Sequence, residues 1–103
     1  MAGPTQYTTH QSNAIDTLDF TYVYYEVDTN VLDPTAVFLL EIIAPEDDGK
    51  FIVIKRVGQY DLNVSGNGNS IDGVPSLAIT SDYGSITVLW HAAVNEWRVI
   101  SKV

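Results

Sequence analysis

The chain has 103 residues, of which 46% are hydrophobic, and a formal net charge of −8 at pH 7. This length fits one domain with a modest core, and the hydrophobic content excludes an intrinsically disordered chain. The charge argues against nucleic acid as a partner, because affinity for a phosphate backbone depends on Lys and Arg, and only five are present. No apolar run approaches the ~20 residues of a membrane span, and the first residues lack the basic and apolar regions of a signal peptide. We therefore predict a single folded domain that binds neither nucleic acid nor membranes.

Residues 1–19 are polar, with scattered large apolar side chains and no helical or strand period. They predict an extended N-terminal arm that precedes a β domain over residues 20–103. Two interpretations of the arm remain open: a frayed terminus, or a tail that becomes ordered on a neighbour or partner. In the second interpretation, Tyr7, Ile15 and Leu18 are the predicted partner-contact residues.

The first predicted strand covers residues 20–27. Alternation places Phe20, Tyr22 and Tyr24 on one face of this strand. Aromatic side chains in a strand are typical of a core or a subunit contact, and they are also able to form a stacking platform for carbohydrate. Turn-forming residues at 28–30 and Asp33-Pro34 end the strand.

The next two predicted strands, over residues 37–43 and 51–57, are apolar at odd and even positions alike. Asp48-Gly49 lies in the loop between them and tolerates positive φ, so this segment predicts a hairpin. Continuous apolar runs are typical of strands that are covered on both faces. The residues predicted to pack in the core or at a subunit contact, with the two possibilities left open, are Phe38, Leu40, Ile42, Ile52 and Ile54.

The rest of the chain predicts short strands near residues 61–64, 71–73, 77–80, 85–91 and 96–101, separated by loops rich in Gly, Asn, Asp and Ser. This spacing indicates a small all-β protein, an antiparallel sandwich or barrel. Trp90 and Trp97 are predicted core residues of the last hairpin. No helix is predicted to cover the second face of the sheet, so the sequence indicates that another copy of the chain covers it.

The candidates for catalysis or metal binding are few. His91 alternates onto the same face as apolar strand residues and is predicted to be packed or hydrogen-bonded rather than catalytic. The acidic residues 46–48 are predicted to be solvated, and Asn67, Asn69 and Asp72 fit turn chemistry better than a calcium loop. We predict no enzyme activity, no catalytic residue, no metal and no cofactor.

The order of segments from residue 37 to the C-terminus resembles a β module of structural proteins in tailed-bacteriophage virions. The segments that carry the resemblance are Ala44-Pro45, the acidic loop with Gly49, Phe51-Ile52-Val53-Ile54-Lys55-Arg56-Val57, Asn67-Gly68-Asn69-Ser70-Ile71-Asp72-Gly73, Leu77, Tyr83-Gly84-Ser85-Ile86-Thr87-Val88 and Trp97-Arg98-Val99-Ile100. The chain departs from the module in its last turn, where His91-Ala92-Ala93-Val94 replaces the usual polar residues.

The resemblance implies a trimeric head decoration, or cement, protein that is made in the host cytoplasm and located on the capsid surface of the virion. Its implied partners are two further copies of itself and the major capsid protein. The alternative that it leaves open is a receptor- or carbohydrate-binding module of a tail fibre or spike. In that alternative Phe20, Tyr22 and Tyr24 are candidates for ligand contact.

Overall fold

A computed structural model describes residues 7–11, 16–30, 35–41 and 43–103. Within these ranges the chain forms nine strands and no α-helix. The strands are β1 (Tyr7–Gln11), β2 (Asp16–Leu18), β3 (Tyr24–Asp28), β4 (Thr35–Leu39), β5 (Phe51–Val57), β6 (Leu62–Ser65), β7 (Ser76–Ile79), β8 (Ser85–His91) and β9 (Glu96–Lys102). Single 3₁₀ turns lie at Pro45–Asp47 and Ala92–Val94. Among the described residues, no helix has the length and apolar character that crossing a membrane would require.

The strands form two sheets that pack face to face. Sheet A has five strands in the order β1-β3-β5-β8-β9, and sheet B has four in the order β2-β4-β6-β7. Buried side chains from both sheets share one continuous core. The protein is therefore an all-β sandwich, one of the two predicted architectures, and not a closed barrel.

The predicted antiparallel arrangement is wrong for the first six strands. β1, β3 and β5 run parallel in sheet A, and β2, β4 and β6 run parallel in sheet B. Parallel neighbours need a long crossover, which is usually a helix. Here the chain alternates between sheets, so each crossover contains a strand of the opposite sheet. Only the later pairs, β5–β8, β6–β7 and β8–β9, are antiparallel.

The hairpin predicted across residues 44–50 is also wrong, because β4 belongs to sheet B and β5 to sheet A. The local prediction at this loop is nevertheless correct, since Gly49 has a φ of +84°. The loop changes sheets instead of reversing direction within one.

The core is built from one face of each sheet, since burial alternates along β3, β5, β6 and β8. Its members are Leu18, Tyr25, Val27, Val37, Leu39, Ile52, Ile54, Leu62, Val64, Ile71, Ile79, Ile86, Val88, Trp90 and Trp97. In β4 the buried residues are Val37 and Leu39, so Phe38 faces outward. Leu40 is half-buried against the core, and Ile42 lies outside the described residues.

The segments predicted as an arm contribute an edge strand to each sheet. β1 pairs with β3, and β2 pairs with β4. Leu18, predicted to contact a partner, is instead fully buried in the subunit core. Tyr7 begins β1, and Ile15 lies outside the described residues. The strand predicted from residue 20 begins only at Tyr24, after a turn.

Hydrogen bonds tie together the ends of β3 and β5. The Thr29 amide donates to the Val57 carbonyl at 2.8 Å, and the Tyr60 amide donates to the buried Thr29 hydroxyl at 3.2 Å. Gly58 packs against this hydroxyl with a φ of +135°, and a Cβ at this position would lie 2.6 Å from Thr29 Oγ1. Glycine is required here by both the backbone angle and the space.

Candidate functional site

The outer face of sheet A carries an apolar patch outside the core. Phe51, Val53 and Leu89 alternate with core residues and therefore face away from sheet B. The strand register places Phe51 opposite Leu89 and Val53 beside Tyr24. Phe51 is 43% exposed, a large fraction for a phenylalanine. We call these four residues the sheet A patch.

Charged side chains border this patch in nearly balanced number. Glu26 and Lys55 are neighbours in the register of β3 and β5. Arg98 forms an ion pair with Glu96 at 3.1 Å. Together with Asp28, the outward positions of β3, β5, β8 and β9 carry three acids and two bases, whereas the whole chain has a net charge of −8.

Polar contacts hold the border in place. The Tyr24 hydroxyl donates to Glu26 Oε1 at 3.0 Å, which leaves the ring beside Val53. Lys55 Nζ lies 5.9 Å from the centre of the Tyr83 ring, within the range of a cation–π contact.

The outer face of sheet B is different in character. Register and alternation place small or polar residues there, including Thr17, Ala36, Asn63 and Ser65, around the half-buried Phe38. A single aromatic ring among small polar side chains is ordinary on a protein surface. The two faces are therefore unequal, and sheet A carries the larger apolar cluster.

Sequence reasoning missed this patch because Ile52 and Val53 are equally apolar. The sequence pattern did indicate a second apolar face, since continuous apolar runs are typical of strands that are covered on both faces. This pattern identified the strands, but it did not show whether the odd-numbered or the even-numbered residues of each strand lie in the core. Ile52 and Ile54, predicted for the core or a subunit contact, are in the core.

The aromatic residues proposed for ligand contact do not form one exposed platform. Phe20 and Tyr22 are half-buried and pack against the core, with the Phe20 and Trp97 ring centroids 5.8 Å apart. Lys50 Nζ lies 5.6 Å from the Phe20 ring centre. Tyr24 faces outward on the other side of sheet A. Phe20 and Tyr22 are thus separated from Tyr24.

Trp90 and Trp97 lie in the core of the β8–β9 hairpin, where the sequence predicts them. They are directly paired across the strands, with ring centroids 5.4 Å apart and an edge-to-face arrangement. The indole nitrogen of Trp97 has no hydrogen-bond partner among the described residues. The cluster has the geometry of packing rather than of binding.

Tyr25 and Asp19 form a polar pair at the margin of the core. The Tyr25 hydroxyl lies 3.0 Å from the Asp19 carbonyl oxygen and 3.2 Å from its Oδ1. Burial, together with the nearby Asp19 charge, raises the pKa of Tyr25 to about 12. Partial burial acts to raise the pKa of Asp19, but hydrogen bonds from Thr21 and Tyr25 outweigh it and leave that pKa below its usual value. The pair is a structural clamp between the β2–β3 turn and β3.

The acidic loop at residues 46–48 organises the backbone around it. Asp47 Oδ1 accepts from Lys50 Nζ at 2.7 Å, and Asp48 Oδ1 accepts from the Ala92 amide at 2.9 Å. Asp47 therefore holds its own loop, while Asp48 ties it to the last turn. His91, predicted to be packed or hydrogen-bonded, is exposed at the end of β8.

The loop after β6 has the turn geometry that its sequence predicts. Asn67 and Asp72 have left-handed φ angles of 55° and 49°. Asn69 Nδ2 donates to the Glu41 carbonyl at 3.1 Å, and Asp72 Oδ1 accepts from the Val99 amide at 3.3 Å. In the part of the chain that the structure describes, no group of three or more His, Cys, Asp or Glu residues is placed to hold a metal ion.

Comparison with known proteins finds a similar fold but does not assign the chain to a family. No family model matches the chain, and no curated protein sequence matches it. Among solved structures, a chain from a structure of a chaperone–substrate complex matches with a TM-score of 0.56 and 14% sequence identity. The match covers 87% of this chain and 18% of that one, so the protein spans about a fifth of the length of the chain that it resembles. At this identity the match establishes similarity of fold alone.

Proposed function

We propose that this chain is a non-enzymatic structural protein of a tailed-phage virion, a homotrimer that binds the major capsid protein on the outer surface of the head and stabilises the shell. The observation that carries the proposal is the sheet A patch. Phe51, Val53 and Leu89 lie outside a core that is already filled by other side chains. An exposed apolar surface of this kind favours self-association over the monomeric state. The phage location rests on the resemblance of residues 37–103.

Stabilisation of the shell would follow from binding linkage. A protein that binds the assembled shell and not its separated subunits adds about 3 kcal/mol of stability at a free concentration ~100-fold above its dissociation constant. Three copies joined in one particle strengthen weak individual contacts, because the second and third contacts form at a high effective concentration. Such a role requires binding surfaces but no catalytic group.

The proposed contact with the capsid lies in residues 1–19. Tyr7 and Ile15 remain the contact residues in this proposal, while Leu18 is excluded because it is buried in the core. β1 is an edge strand of sheet A, and an edge strand offers unpaired backbone groups to an added strand. Strand addition at β1 would then attach the protein without any deep pocket.

One observation favours a second candidate, a receptor- or carbohydrate-binding module of a tail fibre or spike. The matched structure contains this fold as 18% of a longer chain, which is how a module of a larger protein occurs. Against this candidate, Phe20 and Tyr22 pack on the core and do not share a face with Tyr24.

Immunogold labelling of intact virions tests both candidates at once. Antibodies raised against the chain would be applied to particles of the phage that encodes it, with particles from a deletion mutant as the control. Gold distributed over the head is the expected result. Gold confined to the tail tip would support the second candidate instead, and particles that contain the full capsid but bind no gold would contradict both.

A further inference from the structure

The two outer faces of the sandwich differ in a way that identifies an interface. Sheet B presents small and polar residues around one Phe, whereas sheet A presents the contiguous residues Phe51, Val53 and Leu89, flanked by Tyr24. Apolar and aromatic residues at the centre with charged residues at the margin are typical of the core and rim of a subunit interface. Sheet A has this arrangement and sheet B does not.

Charge indicates which molecule covers the sheet A patch. A chain of net charge −8 repels its own copies, unless the surfaces that meet are close to neutral. The outward positions of β3, β5, β8 and β9 approach neutrality, since Lys55 and Arg98 offset all but one of the acids there. The excess acid lies elsewhere, for example at the exposed Glu41, Glu46 and Asp48. The sheet A face is thus the surface on which like chains meet with little repulsion.

The border of the patch carries acids and bases side by side. Glu26 and Lys55 are adjacent on neighbouring strands, and Glu96 and Arg98 lie on one edge strand. When identical faces meet, both signs of charge are therefore present on each side of the contact. A partner of strong single charge, acidic or basic, would gain nothing from such an alternating border.

From these observations we infer that the outer face of sheet A is the self-association surface and that its occupant is the same face of further copies of this chain. In a trimer, three A sheets surround the axis, and each sheet A patch packs on its two neighbours. The inference rests on the proposed trimer and adds the location of its interface.

The test places a lysine at outward positions of each sheet and measures particle mass by light scattering. Leu89→Lys and Val53→Lys would each put a charge at the centre of the sheet A patch, and Phe38→Lys is the matched control on sheet B. The expected result is loss of the oligomer for both sheet A variants and an unchanged mass for the control. Circular dichroism and the emission of the two tryptophans would verify that each variant is folded.

Should the lysine variants fail to fold, Leu89→Thr and Val53→Thr each place a β-branched side chain, which suits a strand, and remove part of the apolar surface. Their expected effect is a shift of the oligomer–monomer equilibrium toward the monomer on dilution. Folded sheet A variants that keep the native mass would overturn the inference, and so would dissociation by Phe38→Lys alone. A wild-type chain that is monomeric would overturn the inference and the proposed trimer together, whereas absence of gold on the virion would overturn only the proposed function.

Discussion

At the scale of single residues, two polar groups are held at the margins of an apolar core. Arg56 is 3% exposed, and its side chain donates to the carbonyls of Gly58 and Ile79 at 3.2 and 3.4 Å. Because Ile79 ends a strand of the opposite sheet, Arg56 links sheet A to sheet B. Its ion-pair partner Asp61 is mostly exposed, so the backbone contacts account for most of its role.

The second polar group, Tyr25, gives a prediction about pH. The pKa of its phenol is raised from 10.0 to about 12, chiefly by burial. Since the folded state keeps the proton more tightly than the unfolded state, the stabilisation is complete below pH 10 and is lost as the pH rises from 10 to 12. We expect Tyr25→Phe to be less stable than the wild type by about 1 kcal/mol at neutral pH, because it loses the hydrogen bonds to Asp19.

Urea unfolding of both proteins over this pH range, at one protein concentration, measures the effect. The difference between wild type and Tyr25→Phe should shrink as the pH rises through the window. Tyr83→Phe, at a residue that is 63% exposed, is the control for neutral pH. A difference that stays constant from neutral pH to beyond the window would contradict the assignment.

At the scale of elements, the crossing of the chain between sheets makes β2 part of the core. Leu18 is fully buried, and β2 pairs with β4 over three residues. Leu18→Ala is therefore expected to lower the free energy of unfolding by about 3 kcal/mol, the usual cost of a large-to-small change in a core. Thr17→Ala, at the exposed neighbour, should change it by only about 0.5 kcal/mol.

Chemical denaturation followed by tryptophan emission compares these two variants directly. Equal and small effects would mean that residues 16–18 are a dispensable tail, in agreement with the simplest interpretation of the sequence. A large loss for Leu18→Ala alone would establish them as part of the folded domain.

The same elements explain what the sequence was able to predict. β8 and β9 were predicted nearly to their ends, because their apolar runs are bounded by turn residues and pair locally through one hairpin. Strand direction in the first six strands was not predictable, since a parallel and an antiparallel strand present the same alternation. The face of each strand that lies in the core was equally unpredictable, because Val53 and Leu89 are as apolar as the buried Ile52 and Val88. The three-dimensional arrangement, and not the local pattern, assigns one set to the interior and the other to the surface.

At the scale of the whole molecule, the sandwich is complete as a subunit and still leaves an apolar face. The inner faces of the two sheets cover each other and together form the hydrophobic core. The outer face of sheet B is adequately polar for water, but that of sheet A presents Phe51, Val53 and Leu89. The acidic remainder of the surface favours solvation, and the near-neutral sheet A face is the surface that we propose copies of the chain share.

Sedimentation equilibrium of the unmodified chain at micromolar concentration measures the particle mass and is the most direct test of self-association. Self-association through sheet A predicts a particle of three times the 11.3 kDa chain mass, which dissociates only on extensive dilution. A particle of 11.3 kDa throughout the micromolar range would contradict the central claim.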